Sequence, residues 1–294
     1  MSGEQRELQR LMFNWGISGS LVNVIRRPYS GFYFSPDVKA YHMVVKMKDV
    51  PGSLSIVLSM LPDVIDLVDC VSYSLEDGTA IWSGFGRSLS PKETEESLKS
   101  LMMRSPLVLD CQVKESVNGV VIDSFHKGLE VAPNRPAMVL PVAGFSRICD
   151  HLARILGTGG ETVLFEEGSA LGKLTGRFLN EKLGKGKLDM RFMAALGMYR
   201  ASGWGSLSIE VERPGSKFRV TAADCPECAD AGRDRTECGF IRGHLVSLIS
   251  MLASEEFKSE EPRCRLRGDK TCEFVLTRQE DRMAGKRTGA RAGR

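Results

Sequence analysis

Five of the chain's eight cysteines, Cys225, Cys228, Cys238, Cys264 and Cys272, fall within 48 residues, whereas Cys70, Cys111 and Cys149 are scattered. Eight cysteines are too few for a disulfide framework in 294 residues, and crowding of this kind argues for metal before disulfide. Thiolates joined by a carboxylate or histidine suit tetrahedral Zn2+, and four protein ligands make a site structural because no position stays open for substrate. Cys264 and Cys272 flank the turn Arg267-Gly268-Asp269-Lys270, which folds their thiols back toward each other. Cys238 immediately precedes a run with helical apolar spacing (Phe240, Ile241, Leu245, Leu248, Ile249, Leu252). Glu261, three residues before Cys264, offers a carboxylate oxygen. The remaining pair, Cys225-Pro226-Glu227-Cys228, leaves three readings open: exchange with Glu261 for an all-thiolate site, a second metal, or a redox couple.

The elements that position these residues divide the chain into two folded parts. Residues 1–38 form an amino-terminal extension without a firm pattern. From 39 to 114, Tyr41, Met43, Val45 and Met47 alternate as in a strand, and Asp49-Val50-Pro51-Gly52-Ser53 breaks the run. Leu54, Val57, Leu58 and Leu61 follow at helical spacing. The stretch Val64–Leu75 reaches the hairpin dipeptide Asp77-Gly78, and Thr79–Phe85 returns as a strand. Ser90, Pro91 and Glu93 read as cap, first position and capping-box partner of a second helix, and Leu107–Val113 alternates as a final strand. The order strand, helix, strand, strand, helix, strand is that of a ferredoxin-like βαββαβ unit. Residues 115–136 read as a linker and 137–278 as an α+β domain. Within it, Gly157-Thr158-Gly159-Gly160 reads as a helix C-cap before a strand-like run, Thr162–Phe165, with a helix from about 168 to 183. Residues 279–294 form a basic tail.

Two resemblances follow from these motifs. Asp49-Val50-Pro51-Gly52-Ser53-Leu54 is similar to the turn by which ACT-type regulatory domains enter their first helix. There the glycine lets an amino-acid effector approach the backbone, usually at a dimer interface, so the resemblance implies Gly52 as an effector contact and a homodimer. Cys238-Gly-Phe-Ile-Arg-Gly243-His-Leu, then Glu261-Pro-Arg-Cys264, then Gly268-Asp-Lys-Thr-Cys272-Glu-Phe, resembles the 4-vinyl-reductase-type domain over about 137–277. That family shares a fold with TRAPP vesicle-tethering subunits and includes sensor domains of phenol-responsive activators. The resemblance implies zinc held at Cys238, Glu261, Cys264 and Cys272, an apolar pocket for a small organic ligand, and dimers. The CxxC at Cys225 and Cys228 departs from the pattern.

Other residues carry less. Trp204, set between two glycines before a strand, can line a ligand pocket. His42, His126, His151 and His244 pair with no nucleophile signature, and His244 reads as a polar helix position. The glycine cluster follows a helix rather than a strand, which excludes a nucleotide-binding fingerprint. Formal net charge is +3, and Lys286, Arg287, Arg291 and Arg294 supply four positives, leaving about −1 for the body. No nucleic-acid face is expected. No run approaches the roughly eighteen apolar residues of a membrane helix, and no signal core precedes the body, so a cytoplasmic location is expected. These features favour a non-catalytic, zinc-stabilised small-molecule sensor. The competing reading is an enzyme or accessory factor of tetrapyrrole metabolism.

Overall fold

A computed structural model describes residues 31–132, 134–230, 232 and 235–279. The basic tail, residue 279 apart, and all but the last eight residues of the amino-terminal extension lie outside these. The described residues fall into two compact units, one running to Met138 and one starting at Val139.

The first unit is built on β2 (Ala40–Lys48), which follows a short strand β1 (Phe32–Phe34). Then come α1 (Ser53–Ser59), β3 (Ile65–Ser74), β4 (Thr79–Ser88), α2 (Glu95–Met102) and β5 (Val108–Glu115). The antiparallel sheet runs β3-β4-β2-β5. Tyr41, Met43, Val45 and Met47 pack against Val57, Leu98 and Met102. Residues on the opposite face of β2 are buried too: Ala40 and Phe85 pack with Val121. Gly52, at φ +90°, caps α1 without a side chain, and Gly78 (φ +76°) turns the β3–β4 hairpin. The α2 cap differs from the sequence reading. Thr94 is the N-cap and Ser97 closes the capping box, because Ser90 is held by Ser88 in the preceding turn. Residues 115–136 carry β6 (Val120–Ile122), which pairs with β1, and β7 (Leu129–Ala132), which pairs with β8 (Arg135–Ala137).

The second unit contains α3 (Val142–Leu156), α4 (Thr158–Leu183), α5 (Leu188–Ala201), β9 (Leu207–Arg213), β10 (Lys217–Ala222), α6 (Gly239–Ala253), β11 (Phe257–Arg263) and β12 (Cys272–Arg278). Its antiparallel sheet runs β11-β12-β10-β9. Phe218, Val220, Phe274 and Leu276 join Leu245, Leu248 and Ile249 of α6 and Phe192 and Leu196 of α5 in one core. Against the strand-like expectation, Thr162–Phe165 belongs to α4. Its β-branched and aromatic residues suit a strand in isolation, but the glycines around them serve helix packing. A Cβ on Gly168 or Gly172 would strike the backbone of Phe240 or His244 in α6, and one on Gly243 would strike Phe165. Small residues on both helices thus bring their backbones into contact. No helix among the described residues is long and apolar enough to cross a membrane.

Candidate metal centre

Four pieces of chain converge at the amino-terminal end of α6. Cys225 and Cys228 bracket a 3-10 turn, Pro226–Cys228, that follows β10. Cys238 is the N-cap residue of α6. Glu261 lies in β11, and Cys264 follows it. A second 3-10 turn, Arg265–Arg267, ends at Gly268 (φ +93°) and leads to Cys272, the first residue of β12. Within that turn Asp269 accepts the Cys264 N–H at 2.8 Å, fixing the loop that presents both thiols.

All five cysteines are buried. Cys238 Sγ lies 3.6 Å from that of Cys225, 3.2 Å from Cys228, 3.6 Å from Cys264 and 3.7 Å from Cys272. Cys228 and Cys272 are 3.5 Å apart, and Cys264 and Cys272 are 4.0 Å apart. Thiolates around one zinc at about 2.3 Å lie about 3.8 Å from one another, so these spacings suit a shared cation. Glu261 Oε2 accepts the Cys238 N–H at 2.7 Å, while its buried Oε1 has no hydrogen-bond partner. An orphaned carboxylate oxygen beside thiols is a ligand position in search of a cation. Two sets of four donors can hold a metal ion: Cys225, Cys228, Cys238 and Cys272, and Cys238, Glu261, Cys264 and Cys272.

Electrostatics follow from burial. Desolvation, reinforced by the charge of Cys264, pushes the Glu261 carboxyl up to about 9. The packed thiols share protons. Cys264 and Cys272 accept S–H bonds and sit below the usual thiol value, and Cys228 and Cys238 are driven above it. The α6 amino terminus places partial positive charge at Cys238. Burial pushes Cys111 up to about 11 and Cys149 to about 12, consistent with inert core thiols.

Sequence reasoning missed the group that holds the CxxC arm. Glu227, fully buried between the two cysteines, accepts the Ile241 N–H at 2.7 Å and Arg235 Nη1 at 2.9 Å. Arg235 also donates to Asp150 of α3 at 2.8 Å and to the Glu227 carbonyl at 2.7 Å, and Ser146 of α3 donates to that carbonyl at 2.8 Å. Desolvation outweighs these bonds and raises the Glu227 carboxyl to about 7. The only signal in the sequence was a glutamate between two clustered cysteines.

Away from the thiols, Trp204 is partly buried, stacked 6.0 Å from Phe240 and near Phe145, Tyr199 and His244. His244 is no polar surface position. It is 2% exposed, neither ring nitrogen has a hydrogen-bond partner, and burial lowers its pKa to about 3. The Tyr199 hydroxyl beside it is likewise buried without a partner. His151 contacts Arg154 at 2.9 Å. In the first unit, His42 bonds Ser83 at 2.9 Å and His126 lies 2.5 Å from Asp123 and 2.6 Å from Tyr73. Gly52 there has open space where a Cβ would stand.

The second unit is thus a mixed α+β fold built around a buried thiol cluster. Residues 218–278 match the 4-vinyl-reductase domain family, which supports the sequence resemblance over the stretch bearing all five clustered cysteines. No curated protein matches the chain. Among solved structures, it is similar to the phenol-responsive sensory domain of the transcription activator PoxR with phenol (TM-score 0.44, 13% identity, 49% of this chain and 77% of that one). It is also similar to a trafficking protein particle complex subunit 3 from Naegleria fowleri covalently bound to palmitic acid (0.39, 13%, 47% and 93%). A third is a vinyl-4-reductase family protein from Methanocaldococcus jannaschii (0.34, 18%, 49% and 85%).

Proposed function

We propose that the protein is a non-catalytic, cytoplasmic regulator that senses a small organic molecule. Its carboxy-terminal unit is held by zinc at Cys238, Glu261, Cys264 and Cys272. Zinc there supplies cohesion rather than chemistry: four protein ligands fasten the last two strands and the α6 terminus together, and none is left for substrate. The orphaned Glu261 Oε1 and the sulfur spacings support that assignment.

The observation that carries the sensing reading is the aromatic enclosure. Phe145, Trp204 and Phe240 surround the His244 imidazole, with Tyr199 against it at 4.7 Å, and neither polar side chain has a partner. A buried donor or acceptor left unpaired costs about 1–3 kcal/mol. A flat apolar ligand bearing one hydrogen-bonding group would remove that cost while keeping the ring contacts. Because the enclosure is packed, admitting a ligand selects an opened arrangement, and the ligand's preference for that arrangement is the signal. The amino-terminal unit, with its βαββαβ order and left-handed glycine at residue 52, is read as an ACT-like module for homodimerisation or amino-acid effector binding.

Native mass spectrometry of anaerobically purified protein, against the same sample denatured, tests this reading. Wild type is expected to retain zinc and an organic mass, and Trp204→Ala to lose the organic mass alone. Cys264→Ser is expected to lose metal and lower the melting temperature of the carboxy-terminal unit, with the amino-terminal unit still folded. Unchanged metal content and melting in Cys264→Ser, or an organic mass absent from wild type, would refute it.

A further inference from the structure

The geometry points to a second metal ion in the thiol cluster, with Cys238 and Cys272 bridging the pair. This rests on the zinc site of the proposed function and adds the ligands that site leaves unused. A single tetrahedral ion takes four donors, yet six converge: five thiols and the Glu261 carboxylate. The two sets of four overlap in Cys238 and Cys272 alone. Two tetrahedra that share one edge have six corners. The shared edge falls on Cys238 and Cys272, whose sulfurs are 3.7 Å apart. Cys225 and Cys228 complete one tetrahedron, and Glu261 and Cys264 the other.

The position of Cys238 independently suits a bridge, because its sulfur alone is within 3.7 Å of all four others. Cys272 Sγ is also approached by the Arg265 N–H at 3.5 Å, a bond that favours its thiolate. Charge argues the same way. Five thiolates and one carboxylate carry six negative charges, of which one divalent ion offsets two and a pair offsets four. The residue of two lies against the α6 amino terminus, where partial positive charge is concentrated. On binding, each thiol gives its proton to solvent, so loading the second ion releases further protons. The Glu227–Arg235–Asp150 tie gives the CxxC arm a fixed place beside the cluster, as a ligand-bearing arm requires.

The test is metal counting on zinc-saturated protein by native mass spectrometry, combined with cobalt(II) titration read by thiolate-to-metal absorption and electron paramagnetic resonance. Two ions per chain are expected, with the resonance signal falling as the second cobalt enters, because bridging thiolates couple the two spins. The double variant Cys225→Ser/Cys228→Ser and, separately, Glu261→Gln/Cys264→Ser should each hold one ion. One ion per wild-type chain overturns the pair and leaves the single-zinc reading standing. Two ions with additive signals overturn the bridge. No metal, or iron with sulfide, overturns both readings.

Discussion

Two adjacent glycines should respond in opposite directions to the same substitution. A Cβ at Gly160 would stand 2.6 Å from Ala153 Cα, 2.9 Å from the Leu152 carbonyl oxygen and 3.0 Å from Ala153 N. All three are backbone atoms of α3 and none can rotate aside. Restoring ordinary contact at 3.4 Å requires α3 and α4 to part by about 0.8 Å. A gap of that size forfeits about a quarter to a half of the attraction at each contact across it. With overpacking costing about 1–3 kcal/mol, we expect Gly160→Ala to destabilise by about 2 kcal/mol and lower the melting temperature by about 4–8 °C. Gly159 has nothing within 4 Å of the same position and lies in the same helical turn. Gly159→Ala should stabilise by about 0.4–1 kcal/mol through the unfolded chain. Thermal unfolding of the metal-loaded protein, followed by helical circular dichroism, measures both. If Gly160→Ala melts at or above wild type, the close helix contact assigned to that glycine does not exist.

Two further outcomes follow from buried charge. Arg235→Met leaves Glu227 buried without its cation and should cost about 3–5 kcal/mol in urea unfolding. Adding Glu227→Gln should recover much of that, and a neutral Arg235→Met would mean the tie does not hold the CxxC arm. The pKa of His244 is about 3 in the folded state against 6.5 when exposed. The unfolded chain therefore binds more protons between those values, so its contribution is complete above pH 6.5 and is lost as pH falls toward 3. Melting temperature against pH should flatten over that window in His244→Phe; an unchanged slope would place the titration elsewhere.

Much of this organisation is legible in the sequence where a local signal and the tertiary outcome agree. Alternation in β2, the Asp77-Gly78 turn and the apolar spacing of α6 each survive folding unchanged. The thiol cluster was legible because Cys264 and Cys272 sit on one short turn and Cys238 opens a helix. Legibility ended where tertiary contact decided. Gly157–Gly160 and Thr162–Phe165 have poor local helix propensity, and α4 begins there because its glycines admit α3 and α6 backbones. Ser90 and Thr94 are equally good caps by composition, and a turn hydrogen bond chose between them. Asp150, Glu227 and Arg235 are ordinary surface residue types whose burial together depends on α3 reaching the CxxC arm, and no spacing announces that.

The order in which the thiols occur has a consequence for how the protein is made. Cys225 and Cys228 leave the ribosome first and Cys272, 47 residues after Cys225, leaves last. At about 5–20 residues per second the interval is about 2–9 s. Throughout it the nascent chain offers a bare CxxC pair, the part of the cluster most open to oxidation or to capture of a tighter-binding ion such as copper. Only when β12 pairs with β10 does Cys272 close the cage. Correct metallation is therefore coupled to completion of the final strand, and a buried ion certifies that the whole domain has been synthesised and folded.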